Sequence, residues 1–232
     1  MVYESLMTSP TFKKLFVDLF GNNDRFCVDF KIAPIASGVN GTTTAIKSNP
    51  ELNTIVISPD YLKRANKMEI AKTIIHECIH AYLNVKLFDS GQGMSITTLN
   101  NLDFFNVVNQ EYNGFNGDQE QHNFIYKYLL PTLKTILADV KDKLVTPQNN
   151  IVMLNDVVVH IPNDNSPATP FVWADYYHNL SLSGLQNCSF FQNEIGTITI
   201  INSVPVVTNT VNQTLIQSYN QYNKMGHLHI HP

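Results

Sequence analysis

Between Met68 and Val85 the chain has no glycine or proline. Met68, Ile70, Ala71, Ile74, Ile75, Cys78, Ile79, Ala81, Tyr82 and Leu83 place apolar groups on nearly every side of a helix drawn through it. A helix that is apolar almost all round is a buried one. Asn66 followed by Glu69 has the spacing of a capping box, which predicts a start near Lys67. Upstream, residues 11–20 read as a short amphipathic helix ended by Gly21. Residues 26–32 alternate apolar and polar side chains, the mark of a half-buried strand. Residues 42–47 form a second expected strand and residues 53–58 a third, stopped by Pro59 and followed by a short helix from Asp60.

Downstream, residues 89–94 read as loop, 102–108 as helix and 112–117 as loop again. Residues 118–130 carry a second long helical pattern, interrupted by Pro131 and resuming to about Leu144. His122, Ile125, Tyr126 and Leu129 share one face of it. From Thr146 the character changes. Residues 151–154 and 157–161 look like strands, and 162–170 like a polar loop. Residues 171–180 read as a helix with Trp173, Tyr176, Tyr177 and Leu180 on its apolar side, 197–201 as a strand, and 209–224 as a final helix. The predicted fold is α+β: a small mixed sheet packed on a buried helix, a second helix beside it, and a C-terminal α/β extension. Residues 1–232 are expected to form a single domain, with a core over about 11–145 and the extension, about 146–232, packed on it.

The buried helix also carries His-Glu-x-x-His at positions 76–80. Residues four apart point the same way, so His76 and His80 can share one metal ion about 2.0–2.1 Å from each ring. Glu77 sits about 100° round the helix, where it misses the metal and still reaches water bound there, as a general base does in a zinc hydrolase. Ionisable groups inside a buried helix are costly unless a metal or partner compensates them. Strands followed by such a helix follow the order of a zincin. A sheet edge then lies beside the metal and pairs with an extended peptide; Thr54 to Ser58 is the candidate edge, and it reads equally as a central strand. Zinc needs a third protein ligand if its fourth position is to hold water. Spacing alone offers His122, Glu111, Glu120, His160, His178, His227, His229 and His231. His122 would complete a His/His/His site and Glu111 a His/His/Glu site. His227, His229 and His231 are expected in a frayed, solvated tail. Tyr126, Tyr176, Tyr177 and His178 are candidates to share oxyanion charge, and Asp103 or Asp118 to orient the imidazoles.

Composition narrows the partners. Charged residues make up only 15%, the net charge is −4 and no Lys/Arg run occurs, so nucleic acid is not an expected partner. With 27 asparagines, the surface is polar mainly through amides and hydroxyls. Cys27, Cys78 and Cys188 are too few for a disulfide framework or a four-cysteine zinc ribbon. No run approaches the length of a membrane span. The first ten residues lack the basic start and apolar run of an export signal, so Met1 is either a true start or follows a removed signal.

The stretch Ala71-Lys-Thr-Ile-Ile-His-Glu-Cys-Ile-His-Ala-Tyr-Leu83, with Gln121-His122 opening a later helix, resembles the SprT-like zinc metallopeptidases. The likeness is closest to a branch of single catalytic domains in bacterial, often surface-associated, proteins. Tyr176-Tyr177-His-Asn-Leu180-Ser-Leu-Ser-Gly184-Leu185 is similar to its Tyr-Tyr-x-x-Leu-x-x-x-Gly-Leu segment, so the likeness touches positions from about 54 to 191. It implies a zincin-like fold, Zn²⁺ held with His122 as third ligand, hydrolysis of peptide or protein substrates, and an extracytoplasmic location if an export signal has been removed. Two rival readings stand beside it. One is hydrolysis of another amide, as in a cell-wall peptide. The other is a non-catalytic surface module whose metal is closed by a fourth ligand such as Glu111 or His178. The cysteine-rich ribbon and basic segments of relatives acting on DNA–protein crosslinks are missing, and Leu182-Ser183 stands where the close branch has Trp-Gly.

Overall fold

The computed structural model describes residues 1–21, 26–46, 49–91, 118–160, 167–201 and 204–230. Helix α1 (Val2–Leu6) leads to Ser9, whose hydroxyl accepts from the Phe12 amide and donates to Asp139. That cap opens α2 (Pro10–Phe12), which continues through a π-helical turn (Lys13–Val17) into α3 (Asp18–Phe20). Phe12, Leu15, Phe16 and Leu19 are buried along this stretch, as its amphipathic pattern requires.

Strands β1 (Cys27–Ile32), β2 (Gly41–Ile46) and β3 (Asn49–Ile57) form a mixed sheet in the order β1-β3-β2. β1 runs parallel to β3, with Cys27 opposite Leu52 and Ile32 opposite Ile57. β2 runs antiparallel to β3, with Gly41 opposite Ile57. β3 buries Asn53, Ile55 and Ile57, the alternate positions of a strand, and both β2 and β3 pack on the long helix that follows. Of the candidate edge, Thr54 to Ile57 lie in the central strand, the second of its two readings, and Ser58 lies just beyond it. The edges are β1 and β2, and of these two it is β2 that packs on the long helix.

Ser58 caps α4 (Pro59–Arg64) with Pro59 in its first turn. Asn66 and Glu69 form the reciprocal capping box: the Asn66 Oδ1 accepts from the Glu69 amide at 2.9 Å and Glu69 Oε2 from the Asn66 amide at 2.8 Å. It opens α5 (Lys67–Gly91), on which every residue from Ala71 to Leu83 is buried. The helix continues through residues 89–91, which sequence assigns to loop, because nothing before Gly91 breaks its hydrogen bonds.

The second helical pattern is α6 (Asp118–Phe124), a π-helical turn (Ile125–Leu129) and α7 (Leu130–Leu144). Pro131 has no amide proton to complete the regular ladder, and the widened turn falls just before it. α7 buries Leu133, Ile136, Leu137, Val140 and Leu144, and packs on α5. Residues 151–154, expected as strand, belong to α8 (Pro147–Asn155). Thr146 accepts from the Asn149 amide and Pro147 presets the first turn, which outweighs four apolar residues in a row; Met153 alone of these is fully buried. Of the strand expected over 157–161, the described residues 157–160 contain β4 (Val158–Val159), paired with β5 (Thr169–Pro170).

Helix α9 (Trp173–Ser181) packs between α7 and the C-terminal helix. After α10 (Ser189–Glu194) comes a hairpin of β6 (Gly196–Ile201) and β7 (Val204–Thr210). The last helix, α11 (Gln213–His229), starts later than expected because Asn209 and Thr210 still pair in the hairpin; Asn212 caps it. The C-terminus corrects another expectation. His227 and His229 lie on α11 rather than in a frayed tail, His227 Nδ1 is 3.1 Å from Glu69 Oε1, and Ile230 is fully buried. One apolar cluster runs from Leu6 to Ile230.

Candidate metal centre

On α5, Lys72, His76, His80 and Asn84 recur at four-residue spacing and so line one polar stripe of a helix otherwise buried in apolar contacts. α6 crosses this stripe. Asn123 anchors it to α10 by accepting from the Ser189 hydroxyl at 3.0 Å and the Phe190 amide at 3.3 Å, which holds the neighbouring His122 over α5. His80 Nε2 lies 3.1 Å from His76 Nε2 and 3.1 Å from His122 Nε2. The ligand atoms of all three imidazoles fall within 4.8 Å of one another.

Three convergent ring nitrogens are a donor set for a metal. Two nitrogens bound to one tetrahedral zinc stand about 3.3 Å apart, close to the two spacings made by His80. Protonation fits the same use. Burial, then the nearby His80, Lys72 and His122, push His76 well below the usual histidine range, so its ring stays neutral and keeps a lone pair. His80 is set by a relay of amides. Its Nδ1 donates to Gln121 Oε1 at 2.5 Å, Gln121 Nε2 donates to Asn84 Oδ1 at 3.1 Å, and Asn84 Nδ2 donates to Asn53 Oδ1 at 3.1 Å. A donor at Nδ1 leaves the His80 Nε2 lone pair facing the other two rings.

Glu77 stands outside the imidazole cluster, buried to 6% exposure. Thr43 of β2 reaches it: the hydroxyl is 2.7 Å from Glu77 Oε2 and 2.9 Å from its backbone carbonyl, and its single proton goes to one of them at a time. Gly41 permits the approach. A methyl there would lie 3.0 Å from Glu77 Cγ and 3.1 Å from Oε1. The edge strand, the carboxylate and the trio are thereby stacked along one side of α5.

Other sequence candidates fall elsewhere. Tyr176 is fully buried against Phe171, Trp173 and the Cα of Gly226, where a methyl would be 2.6 Å from its hydroxyl. Tyr177 stacks on Trp173. His178 is half-buried on α9, lowered by burial and Lys134. Tyr126 donates to Glu194 at 2.9 Å and stacks on Phe190. None of these contacts is with the trio. His160 is exposed, and His227 is taken by Glu69. Glu120 and Asp118 fall in the first turn of α6, while Asp103, Glu111, His231 and the stretches 102–108 and 112–117 lie outside the described residues. Sequence reasoning missed Gln121, Asn84, Asn53, Thr43 and Lys72. The four-residue spacing out from His76 and His80 was a signal for Lys72 and Asn84; nothing local points to Thr43 or Asn53.

Two imidazoles one turn apart on a buried helix, a third from a crossing helix, and a carboxylate beside the first fit a metal-dependent hydrolase. The SprT-like family matches residues 9–92, from the Ser9 cap through α5. The expected SprT-like resemblance is thus supported over the stretch that includes His76, Glu77 and His80; His122 lies beyond it. No curated protein and no solved structure matches the chain. Among the described residues, no helix is long and apolar enough to cross a membrane.

Proposed function

We propose that this chain is a zinc-dependent peptidase of zincin type, in which His76, His80 and His122 hold the metal and Glu77 is the general base. The observation that carries the reading is the convergence of three ring nitrogens, those of His76 and His122 each 3.1 Å from His80 Nε2, with Glu77 adjoining His76. Three imidazoles suit zinc with one position left open. When bound, zinc supplies Lewis acidity, bringing the pKa of a water to about 7 and polarising a carbonyl. Glu77 takes the proton of the attacking water and returns it to the leaving amine. The Thr43 hydroxyl, 2.7 Å from one carboxylate oxygen, orients the group for this exchange. β2, with no strand on its outer side among the described residues, offers its backbone to an extended peptide substrate.

The experiment is Glu77→Gln assayed beside the parent on casein, gelatin and peptidoglycan fragments, with zinc content measured on the same samples. Retained zinc with turnover reduced about 10²–10⁴-fold supports the reading. Undiminished cleavage, or a zinc-loaded parent that cleaves none of the three substrates, contradicts it.

A further inference from the structure

Lys72 lies one turn before His76 on the same stripe of α5, and it is 5% exposed. Its ammonium donates to the Ser183 carbonyl at 2.7 Å, its one hydrogen bond among the described residues. No carboxylate of the described residues lies within ion-pair distance of it. A buried ammonium with three donors and one acceptor is costly, and fully burying a charge without a close counter-charge is rare in a fold that does not use it. Glu77 and Glu69 offset it only from a distance, and burial brings its pKa down to about 8.

Gly184 completes the arrangement. It adopts φ +92°, which excludes ordinary side chains, and its missing Cβ would lie 3.6 Å from Lys72 Nζ, 3.6 Å from His76 Nε2 and 3.4 Å from His76 Cε1. The glycine therefore leaves a notch shared by the ammonium and the metal-facing nitrogen of His76. The two nitrogens are at most twice that distance apart, a span of about two residues of extended chain. With a divalent metal on the trio, the metal and Lys72 together outweigh the single negative charge of Glu77, so the pocket has an excess of positive charge for an incoming anion.

We propose that Lys72 and Gly184 form an anion subsite that takes a carboxylate of the peptide substrate, on a residue adjoining the scissile bond. The inference rests on the peptidase reading above. The carboxylate comes either from a free C-terminus or from an acidic side chain, and the ammonium and the open glycine face serve both alike.

The test uses two zinc-chelating probes of nearly equal shape, the monohydroxamate of succinic acid and the hydroxamate of succinamic acid, which differ by carboxylate against amide. Their affinities for the zinc-loaded chain are measured by calorimetry, for the parent and for Lys72→Met, with zinc content determined on each. The parent is expected to bind the carboxylate probe at least about ten-fold more tightly. Lys72→Met is expected to lose that preference while holding zinc and binding the amide probe as before. Equal affinities in the parent, a comparison that needs no variant, overturn the subsite; so does a preference that survives Lys72→Met. A parent that holds no zinc and binds neither probe overturns the peptidase reading itself, and the subsite with it. Zinc with both probes bound equally overturns the subsite alone. Short acylated peptides ending in a free or an amidated C-terminus, with and without Asp or Glu beside the cleaved bond, then separate the two sources. Preference for either carboxylate supports the subsite, and indifference to both contradicts it.

Discussion

Thr43 Oγ1 lies 2.7 Å from Glu77 Oε2 and so joins the edge strand of the sheet to the carboxylate beside the first histidine. The contact fixes which way the carboxylate faces and ties its position to that of β2. Removing the hydroxyl while keeping the branched shape should leave the metal in place and loosen the base. Thr43→Val is expected to hold zinc at the parental level and to lose about ten-fold in kcat, roughly the worth of one hydrogen bond to a charged group. Zinc content with steady-state kinetics on a cleaved peptide checks this; unchanged kcat would separate Thr43 from the chemistry.

The amide relay from Asn53 through Asn84 and Gln121 to His80 is a positioning device, and it should be felt in metal affinity. Gln121→Leu removes the acceptor at His80 Nδ1 and is expected to weaken zinc binding about 10–100-fold. Gln121→Glu restores an acceptor and should recover most of the loss. Competition for zinc against a chromogenic chelator reads both. Two variants equally impaired would mean that the acceptor facing His80 Nδ1 is not what position 121 contributes to metal binding.

Alkali should unfold the chain cooperatively. Burial holds the phenols of Tyr61 and Tyr176 well above the usual tyrosine range and raises that of Tyr219. A folded pKa raised above the unfolded value of about 10 contributes stability that is fully present below that value. The contribution is lost as pH rises further, because only the unfolded chain then releases the protons. Absorbance at 295 nm with far-UV circular dichroism is expected to show these phenolates appearing together with loss of helix above about pH 10. Smooth ionisation of all tyrosines with the helical signal intact would contradict their burial.

Much of this site was readable in residue order because its parts are local. The reciprocal cap of Asn66 and Glu69, the apolar run to Leu83 and the four-residue spacing of His76 and His80 each act within a turn or two of one helix. His122 was legible as a histidine on the inward stripe of a second helix, though spacing alone did not choose it over Glu111. What escaped the sequence is what tertiary contact decides. Whether residues 54–58 are an edge or a central strand depends on where β2 returns, which no pattern within 54–58 encodes. Residues 151–154 and 227–230 were misjudged for related reasons. A capping threonine and a proline outweighed an apolar run in the first case, and in the second Ile230 had a buried site waiting in the fold. Gly184 meets His76 and Lys72 across more than a hundred residues of chain, so its role has no local signature.

The central claim is that imidazoles from two crossing helices hold one metal ion. Its most direct test is metal analysis of the purified chain by inductively coupled plasma mass spectrometry, for the parent and for His122→Ala, after equilibration with limiting zinc and removal of free metal. The account expects about one zinc per parent chain and loss of most of it from His122→Ala, with circular dichroism unchanged. A folded parent that takes up no zinc, or a His122→Ala chain that retains it with parental affinity, would contradict the account.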